Sequence, residues 1–477
     1  MGTRLRFLPA LGTVAGVAVL LRIVYEPWFL NYDARYALVW ARDLAHGLTP
    51  DYTGPYAPTP HPLETVVSLV AVPFGTGGDA IMVWAILLCF GLLVWLAYRL
   101  GAELFSPWVG AVTALVVLTR PALERDALLG YQDTAFAVLI VWAVLLESRQ
   151  PKRGVPVLAL LAVGGLMRPE AWALAGLYAL YLWRDADMRE RVTYAALTAL
   201  APVLWALGDW LVTGDPLHSL HGTAELAATV DRRRDPLTGP YWAAQYLGYT
   251  LREPLVIGIA IGLAFAWRHA RRRALLPFVV AVAMLVVFLA SPVFGLPLIG
   301  RYVRTPAVLL AVFYGLAVFG WRMLPPGRER RGWAIAGVVA ALLSVAYLPW
   351  HVDLLDRLDG RLVFQGAYYR DLREAGQDPA VRAVLERCGT IATADHRPIP
   401  HLRWWTEGDP GSVAPVGSRE ARDAQVLLLP RRTRAMRRFY SVKFPRVAAP
   451  AGFEPVYRNA SWRVLAAPEC VQRRERA

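Results

Sequence analysis

Charge is scarce in this chain. Of its 477 residues only 18% are charged, against 56% that are hydrophobic, a balance too apolar for a soluble protein of this size and one that belongs in lipid. Cysteine is rarer still, with three in all, and no cysteine-histidine spacing of the zinc-binding kind occurs. The chain has neither a Walker nor a dinucleotide-binding glycine loop, which argues against cytoplasmic nucleotide hydrolysis within it as an energy source. It also lacks an internal repeat of fixed period and a low-complexity linker. The formal charge of +14 looks at first like a nucleic-acid signature, but its distribution along the chain gives another answer.

What the chain has in abundance is apolar sequence. From residue 8 to residue 349 apolar stretches recur, each broken by a short run with Arg, Asp, Pro or Gly, and a helix that crosses a bilayer needs about 20 such residues. The candidate spans are 8–24, 80–98, 107–119, 134–147, 154–167, 170–183, 192–211, 254–267, 274–290, 303–320 and 333–349, so the fold class expected is a polytopic α-helical membrane protein of about eleven transmembrane helices. The first stretch follows Arg4 and Arg6 but has no small-x-small cleavage site and ends in Arg22 and Glu26-Pro27, and it reads as an uncleaved helix. Alternate connections carry Arg4 and Arg6, Arg99, Arg149 to Arg153, Arg184 to Arg191, Arg268 to Arg273 and Arg322 to Arg331. The positive-inside rule puts these, and the N-terminus, in the cytoplasm. Loops 25–79, 120–133, 168–169, 212–253 and 291–302 then face outward, with the tail. Pro62 to Gly75 is apolar but short, and counting it as a span would invert every later loop, so it is expected as a half-buried helix on the outer membrane surface.

Two domains follow: a membrane domain over 1–349 with the long outer loop 25–79, and a soluble extracytoplasmic α/β domain over 350–477. The tail has 22 Lys/Arg against 15 Asp/Glu, so it carries +7, half of the total charge. Pro379 to Cys388 reads as a helix, Thr390 to Ala394 and Gln425 to Leu429 as strands, and Glu454 to Ala466 as a hairpin turning near Asn459-Ala460. Cys388 and Cys470 both fall here, and outside the cell a disulfide between them competes evenly with two buried thiols. The segment Asp395 to Trp405 interleaves aromatic and basic residues, which suits a polysaccharide or packing on the membrane domain; nucleic acid is not an expected partner of an outward domain.

Ionisable groups collect on the outward side. From Asp33 to His46 the apolar residues Tyr36, Ala37, Trp40, Ala41 and Leu44 recur at helical spacing, which predicts an amphipathic helix at the interface with Asp33 at its N-terminus, as a cap or as a functional carboxylate. The loop from Arg120 ends in Gly130-Tyr131-Gln132-Asp133 and brings a second acid to that side, and Arg168-Pro169-Glu170 adds a charged pair. Such groups at a membrane edge line cavities more often than they face lipid. Arg301 and Arg304 flank Tyr302 about one helical turn apart at the mouth of the tenth span, with a geometry suited either to gripping a phosphate or to snorkelling. His61 lies in Pro-His-Pro-Leu at 60–63, and His218 with His221 could bind a metal or a sugar, although capping and packing explain them more simply.

The order of a first helix, a long outer loop with an Asp near its start, a surface helix ending in Gly, Pro-His-Pro-Leu and a late Arg-Tyr resembles the GT-C superfamily of membrane glycosyltransferases over roughly residues 1–320. The resemblance implies that Asp33 is the first-loop acid acting as catalytic base or as a metal or acceptor contact, that Asp133 is the second-loop acid, and that Arg301 lies near the lipid-phosphate leaving group. Arg304, Tyr302, Arg168, Glu170, His61 and His218 complete the expected substrate-binding set. Asp33 is followed by Ala34 and Arg35 where some members have a second acid, so a divalent metal ion is compatible with the resemblance without being required by it. The implied partners are a polyprenyl-phosphate-linked sugar, an envelope glycan, lipid or protein acceptor, and the bilayer. The reaction expected is inverting glycosyl transfer at the outer face of the plasma membrane, in a GC-rich bacterium such as an actinobacterium. The alternatives are a transporter or flippase of a lipid-linked envelope precursor, which should show repeats and charges deep within its spans, and an inactive relative that serves in assembly.

Overall fold

A computed structural model describes residues 8–26, 28–440 and 443–471; Arg4 and Arg6, counted above among the cytoplasmic charges, lie outside them. The helices run, in order, α1 (Leu8–Val24), α2 (Tyr32–Ala45), α3 (Pro62–Ser68), α4 (Gly78–Leu104), α5 (Pro107–Leu118), α6 (Pro121–Leu128) and α7 (Asp133–Arg149). They continue with α8 (Val155–Gly165), α9 (Glu170–Leu182), α10 (Met188–Thr213), α11 (His218–Thr229), α12 (Gly239–Leu251), α13 (Glu253–Phe265), α14 (Arg271–Ala290), α15 (Arg304–Phe319) and α16 (Arg328–Ala346). The C-terminal part contains α17 (Leu348–Gln377), α18 (Pro379–Cys388), β1 (Ile391–Thr393), α19 (Ile399–Trp405), β2 (Val413–Pro415), β3 (Val426–Pro430), α20 (Arg434–Tyr440), β4 (Glu454–Arg458), β5 (Trp462–Ala466) and α21 (Pro468–Val471). Two compact units result. Of the described residues one holds 8–24, 61–63 and 83–358, the other 25–60, 64–82 and those from 359 onward, so most of the loop 25–79 folds with the C-terminal segment.

In the first unit a helix occupies each of the eleven expected apolar segments. By length and apolarity, four helical stretches among the described residues can cross a membrane: 72–104, 188–213, 253–294 and 300–323. Two bent pairs, α6 with α7 and α16 with α17, raise that to six, and α1, α5 and α8 are shorter apolar helices. α5 and α8 have 12 and 11 residues, less than the length of about 20 that spans the hydrocarbon core. Burial sorts the helices: 83% of the apolar window of 300–323 is enclosed, against 17% for 188–213. α15 is thus the central helix of the unit, while α10 turns Val203, Leu207 and Leu211 outward, as a lipid-facing helix does.

Backbones come close around α15. A Cβ added at Gly262 would lie 1.8 Å from the Phe313 carbonyl oxygen, and one at Gly110 would lie 2.3 Å from that of Tyr98, so α13 with α15, and α4 with α5, pack at distances only glycine permits. The ends of α10 follow local chemistry. Asp187 and Glu190 form a reciprocal capping box at its start, and Gly214, at φ 79, closes its end.

The second unit is built on a five-stranded sheet of order β2-β1-β3-β5-β4. β1 runs parallel to β2 and to β3, while β3, β5 and β4 are antiparallel. Helix α18, strands β1 and β3 and the hairpin β4–β5 fall where the sequence pattern puts them. The hairpin turns on Asn459, whose Oδ1 accepts from the backbone N–H groups of Ser461 and Trp462. β2 gives no such signal, being three residues long and ending in Pro415.

α2 forms as expected, but the interfacial position expected for it does not describe its surroundings. Ala34 through Asp43 are all buried, including Arg35, Arg42 and Asp43. The polar face can be buried because each charge has a partner. Arg35 pairs with Asp79, and the Arg403 guanidinium on α19 donates to both Asp43 oxygens, at 2.7 and 2.8 Å, and to Asp51 at 2.7 Å. Arg42 donates to the Arg403 and Gly408 carbonyls at 3.1 and 2.6 Å. A period of 3.6 residues locates an apolar face; it cannot report that the opposite face finds counter-charges.

Cys388 on α18 and Cys470 on α21 form a disulfide across 82 residues of sequence. Closing so long a loop restricts the unfolded chain strongly. Cys388→Ser is expected to destabilise the second unit by about 2–5 kcal/mol, read as a lowered melting temperature of the purified chain without reductant; an unchanged melting temperature would contradict the bond.

Candidate active site

In the first unit charges from the loops before α7 and α9 converge on one guanidinium. α6 and α7 are bent by 117° about Gly130, whose φ of 71 lies where only glycine is unstrained. The bend leaves Asp133 at the first turn of α7, while Glu170 opens α9, and a carboxylate at a helix N-terminus is stabilised by the exposed N–H groups there. Arg168 fills the space between them. It donates to Asp133, and its Nη2 meets Glu170 Oε1 at 2.5 Å. All three are buried, at 6%, 5% and 9% exposure, and the guanidinium lies 4.1 Å from the Tyr302 ring centroid, adding a cation–π contact.

Arg301 approaches the other Asp133 oxygen at 3.9 Å, with its side chain 20% exposed, and faces the Tyr131 ring at 5.1 Å. Arg304, three residues further on, is committed differently. Its Nε donates to Asp126 at 3.1 Å and its Nη1 to the Thr250 hydroxyl, in a site where Asp126 also accepts from Arg125 at 3.0 Å. Arg304 and Asp126 are 7% and 1% exposed. The structure therefore brings together Asp133, Arg168, Glu170, Arg301 and Tyr302, and binds Arg304 to a neighbouring buried pair. Asp126 and Thr250 were not singled out in the sequence, since nothing in a helical pattern marks which acid faces which base.

The remaining residues lie elsewhere. His61 packs edge-on to Trp205 at 5.6 Å, and His218 opens α11, where Asp209 accepts from Ser219 and Asp215 pairs with His221 at 2.7 Å. Asp33 is in the second unit, half-buried in the first turn of α2. Capping does not account for it: Asn31 is the N-cap, and its Oδ1 accepts from the N–H groups of Asp33 and Ala34 at 2.8 and 3.2 Å.

Among the described residues no group of three or more His, Cys, Asp or Glu lies close enough to hold a metal ion by itself.

With this geometry in place, the chain can be compared with known proteins. No family model matches it, and no curated protein does. Among solved structures it is similar to the oligosaccharyltransferase of Archaeoglobus fulgidus in its complex with Zn and sulfate, with a TM-score of 0.51 at 12% identity over 87% of this chain and 67% of that one. The same score and identity hold for the archaeal oligosaccharyltransferase AglB from that organism in complex with an inhibitory peptide and a dolichol-phosphate, over 88% and 69%. The apo form of the Archaeoglobus fulgidus enzyme gives 0.51 at 14% identity, over 89% and 69%. The class these observations define is a multi-pass helical membrane protein with a small sheet-containing unit. More particularly, its fold is similar to that of these archaeal oligosaccharyltransferase structures.

Two outcomes follow from the buried charges. Arg168→Ala leaves Asp133 and Glu170 without their shared cation and is expected to destabilise the first unit by about 3–5 kcal/mol, against little for Arg301→Ala; equal melting temperatures for the two variants would refute the assignment. In the second unit, burial raises the Asp43 carboxyl from 3.8 to about 6, against the opposing pull of Arg403. Because the folded carboxyl holds its proton more tightly than the unfolded one, its contribution to stability grows as pH falls through about 6, is complete below about 4, and is lost again as pH rises. The difference in melting temperature between wild type and Asp43→Asn, followed from pH 7.5 to 4.5, should therefore shift in favour of the wild type at acid pH.

Proposed function

We propose that the chain is a membrane glycosyltransferase that moves a sugar from a polyprenyl-phosphate donor to an envelope acceptor at the outer face of the plasma membrane. The observation that carries this reading is the partly exposed Arg301, set beside the Arg168 cage and two tyrosine rings at the ends of apolar helices. A guanidinium so held suits a phosphate attached to a lipid tail. The fold shared with a protein solved with a dolichol-phosphate supports the same donor class.

Outside the membrane there are no nucleotide sugars, so the sugar arrives on a lipid phosphate whose tail stays in the bilayer. The acceptor oxygen attacks the anomeric carbon, the bond from that carbon to the phosphate oxygen breaks, and the lipid phosphate leaves with the electron pair. In this reading Asp33 takes the acceptor's proton, and Arg301 stabilises the charge that builds on the departing phosphate. Single displacement inverts the anomeric centre and needs no covalent enzyme intermediate. Asp133, Arg168 and Glu170 act as positioning residues for Arg301, and we assign Arg304 to the fold through Asp126.

Purified protein in nanodiscs, given labelled polyprenyl-phosphate sugars and an envelope extract, should release polyprenyl phosphate. Asp33→Asn is expected to cut kcat by at least about 100-fold, and Arg301→Ala to raise the donor KM by about tenfold. Unchanged turnover in Asp33→Asn would remove it from catalysis. If no donor turns over but lipid-linked sugar crosses vesicle membranes, the transporter reading replaces this one.

A further inference from the structure

The second unit carries a group of chemistry-bearing residues that the reaction above leaves unused. β1 is flanked by β2 on one side and β3 on the other, both parallel to it. The chain therefore leaves β1 toward one side of the sheet and returns on the other. Ligands of parallel sheets bind beyond the carboxyl ends of the strands at such a reversal. The residues at that point are Asp395, His396 and Arg397, all half-exposed.

Side chains from the first outer loop gather at the same point. The His396 ring stacks on Tyr56 at 4.7 Å and 14°, and meets Tyr32 edge-on at 5.5 Å. Tyr32 donates its hydroxyl hydrogen to the Tyr56 carbonyl at 3.0 Å, which holds Tyr56 at a φ of 62, a conformation that costs a non-glycine residue energy. Burial raises the Tyr32 phenol well above its ordinary value, and the charges of Asp33 and Asp395 add to the effect, so both carboxylates lie within electrostatic reach of that ring. Asp395 accepts the Arg397 N–H on Oδ1 at 2.7 Å and lies within hydrogen-bond reach of the Tyr440 hydroxyl, while the Arg397 guanidinium lies over the Phe439 and Tyr440 rings at 5.2 and 5.0 Å with its Nη1 still lacking an acceptor. Buried polar atoms are nearly always satisfied, and the unfilled Arg397 donor beside a carboxylate with lone pairs to spare offers a ligand one donor and one acceptor two residues apart.

We infer that this corner of the second unit binds a carbohydrate, and that the acceptor of the transfer reaction is a sugar hydroxyl in place of a peptide side chain. Rings at Tyr32, Tyr56 and His396 offer flat surfaces for the C–H face of a pyranose or furanose. The Asp395 carboxylate accepts from one hydroxyl and the Arg397 guanidinium donates to its neighbour, a pairing that vicinal hydroxyls satisfy and a single Ser, Thr or Asn side chain does not. Asp33 stands in the same unit, beside Tyr32, as the group that would take the proton of the bound hydroxyl. The identification of this ligand as the acceptor rests on the glycosyl-transfer reading, whereas the binding of carbohydrate does not.

The test uses the full chain in nanodiscs and saturation-transfer NMR with mannotriose, galactotriose, glucotriose and arabinotriose, and with a peptide containing Ser, Thr and Asn. At least one trisaccharide should bind, and His396→Ala and Asp395→Asn should each weaken it by about tenfold. Arg382→Gln, on α18, serves as a control that leaves binding unchanged, and melting temperatures show that each variant is folded. Failure of every trisaccharide to bind, equal affinity in the folded variants, or binding of the peptide with sensitivity to His396→Ala would each overturn the inference. Because binding is read without a donor, it is scored even if polyprenyl phosphate is never released, and a protein that binds sugar but turns over no donor sinks only the transfer reading.

Discussion

A guanidinium removed from water between two carboxylates is the arrangement on which both units depend. In the first, Arg168 lies between Asp133 and Glu170; in the second, Arg403 lies between Asp43 and Asp51. Burying any one of these charges alone is strongly unfavourable, and burial becomes tolerable only when the partners arrive together with good geometry. The planar, five-donor head of arginine meets that condition where lysine would not. Each cluster therefore ties together segments distant in sequence: α7 with α9 in one unit, and the first outer loop with α19 in the other.

The consequence for chemistry lies in what each cluster leaves over. Arg168 and Arg304 are enclosed by their acids, so their charge is spent within the fold. Arg301 shares Asp133 at a longer distance and keeps part of its side chain exposed, which makes it the cation of this group best placed to meet an anion from outside. In the second unit Asn31 performs the capping that would otherwise occupy Asp33.

Much of the architecture was legible from hydropathy. The eleven apolar segments all became helices, and α18, β1, β3 and the Asn459 hairpin could be read because capping, turn and alternation signals act over a few residues. The site was legible only in part. Asp33, Asp133, Arg168, Glu170, Arg301 and Arg304 stood out as charges among apolar neighbours, whereas the pairing of Arg304 with Asp126, and that of Arg403 with Asp43, did not. Their pairing spans from 178 to 360 residues of sequence, and no local periodicity carries that information. The burial of the polar face of α2 was not legible for the same reason: the pattern shows which face is apolar but not what covers the other.

The amino-acid order by itself determined that the chain is apolar enough to live in lipid, which apolar segments become helices, and that ionisable residues gather in a few loops, because each of these follows from solvation and hydrogen bonding within one or two turns of backbone. Tertiary structure alone decided which charges neutralise one another and which keep capacity for a ligand. It also drew the first outer loop into the same unit as the C-terminal sheet and set Tyr32 and Tyr56 against His396. These outcomes depend on the meeting of segments far apart in the chain, where burial makes an ion pair or a ring contact decisive and sequence distance says nothing about spatial distance.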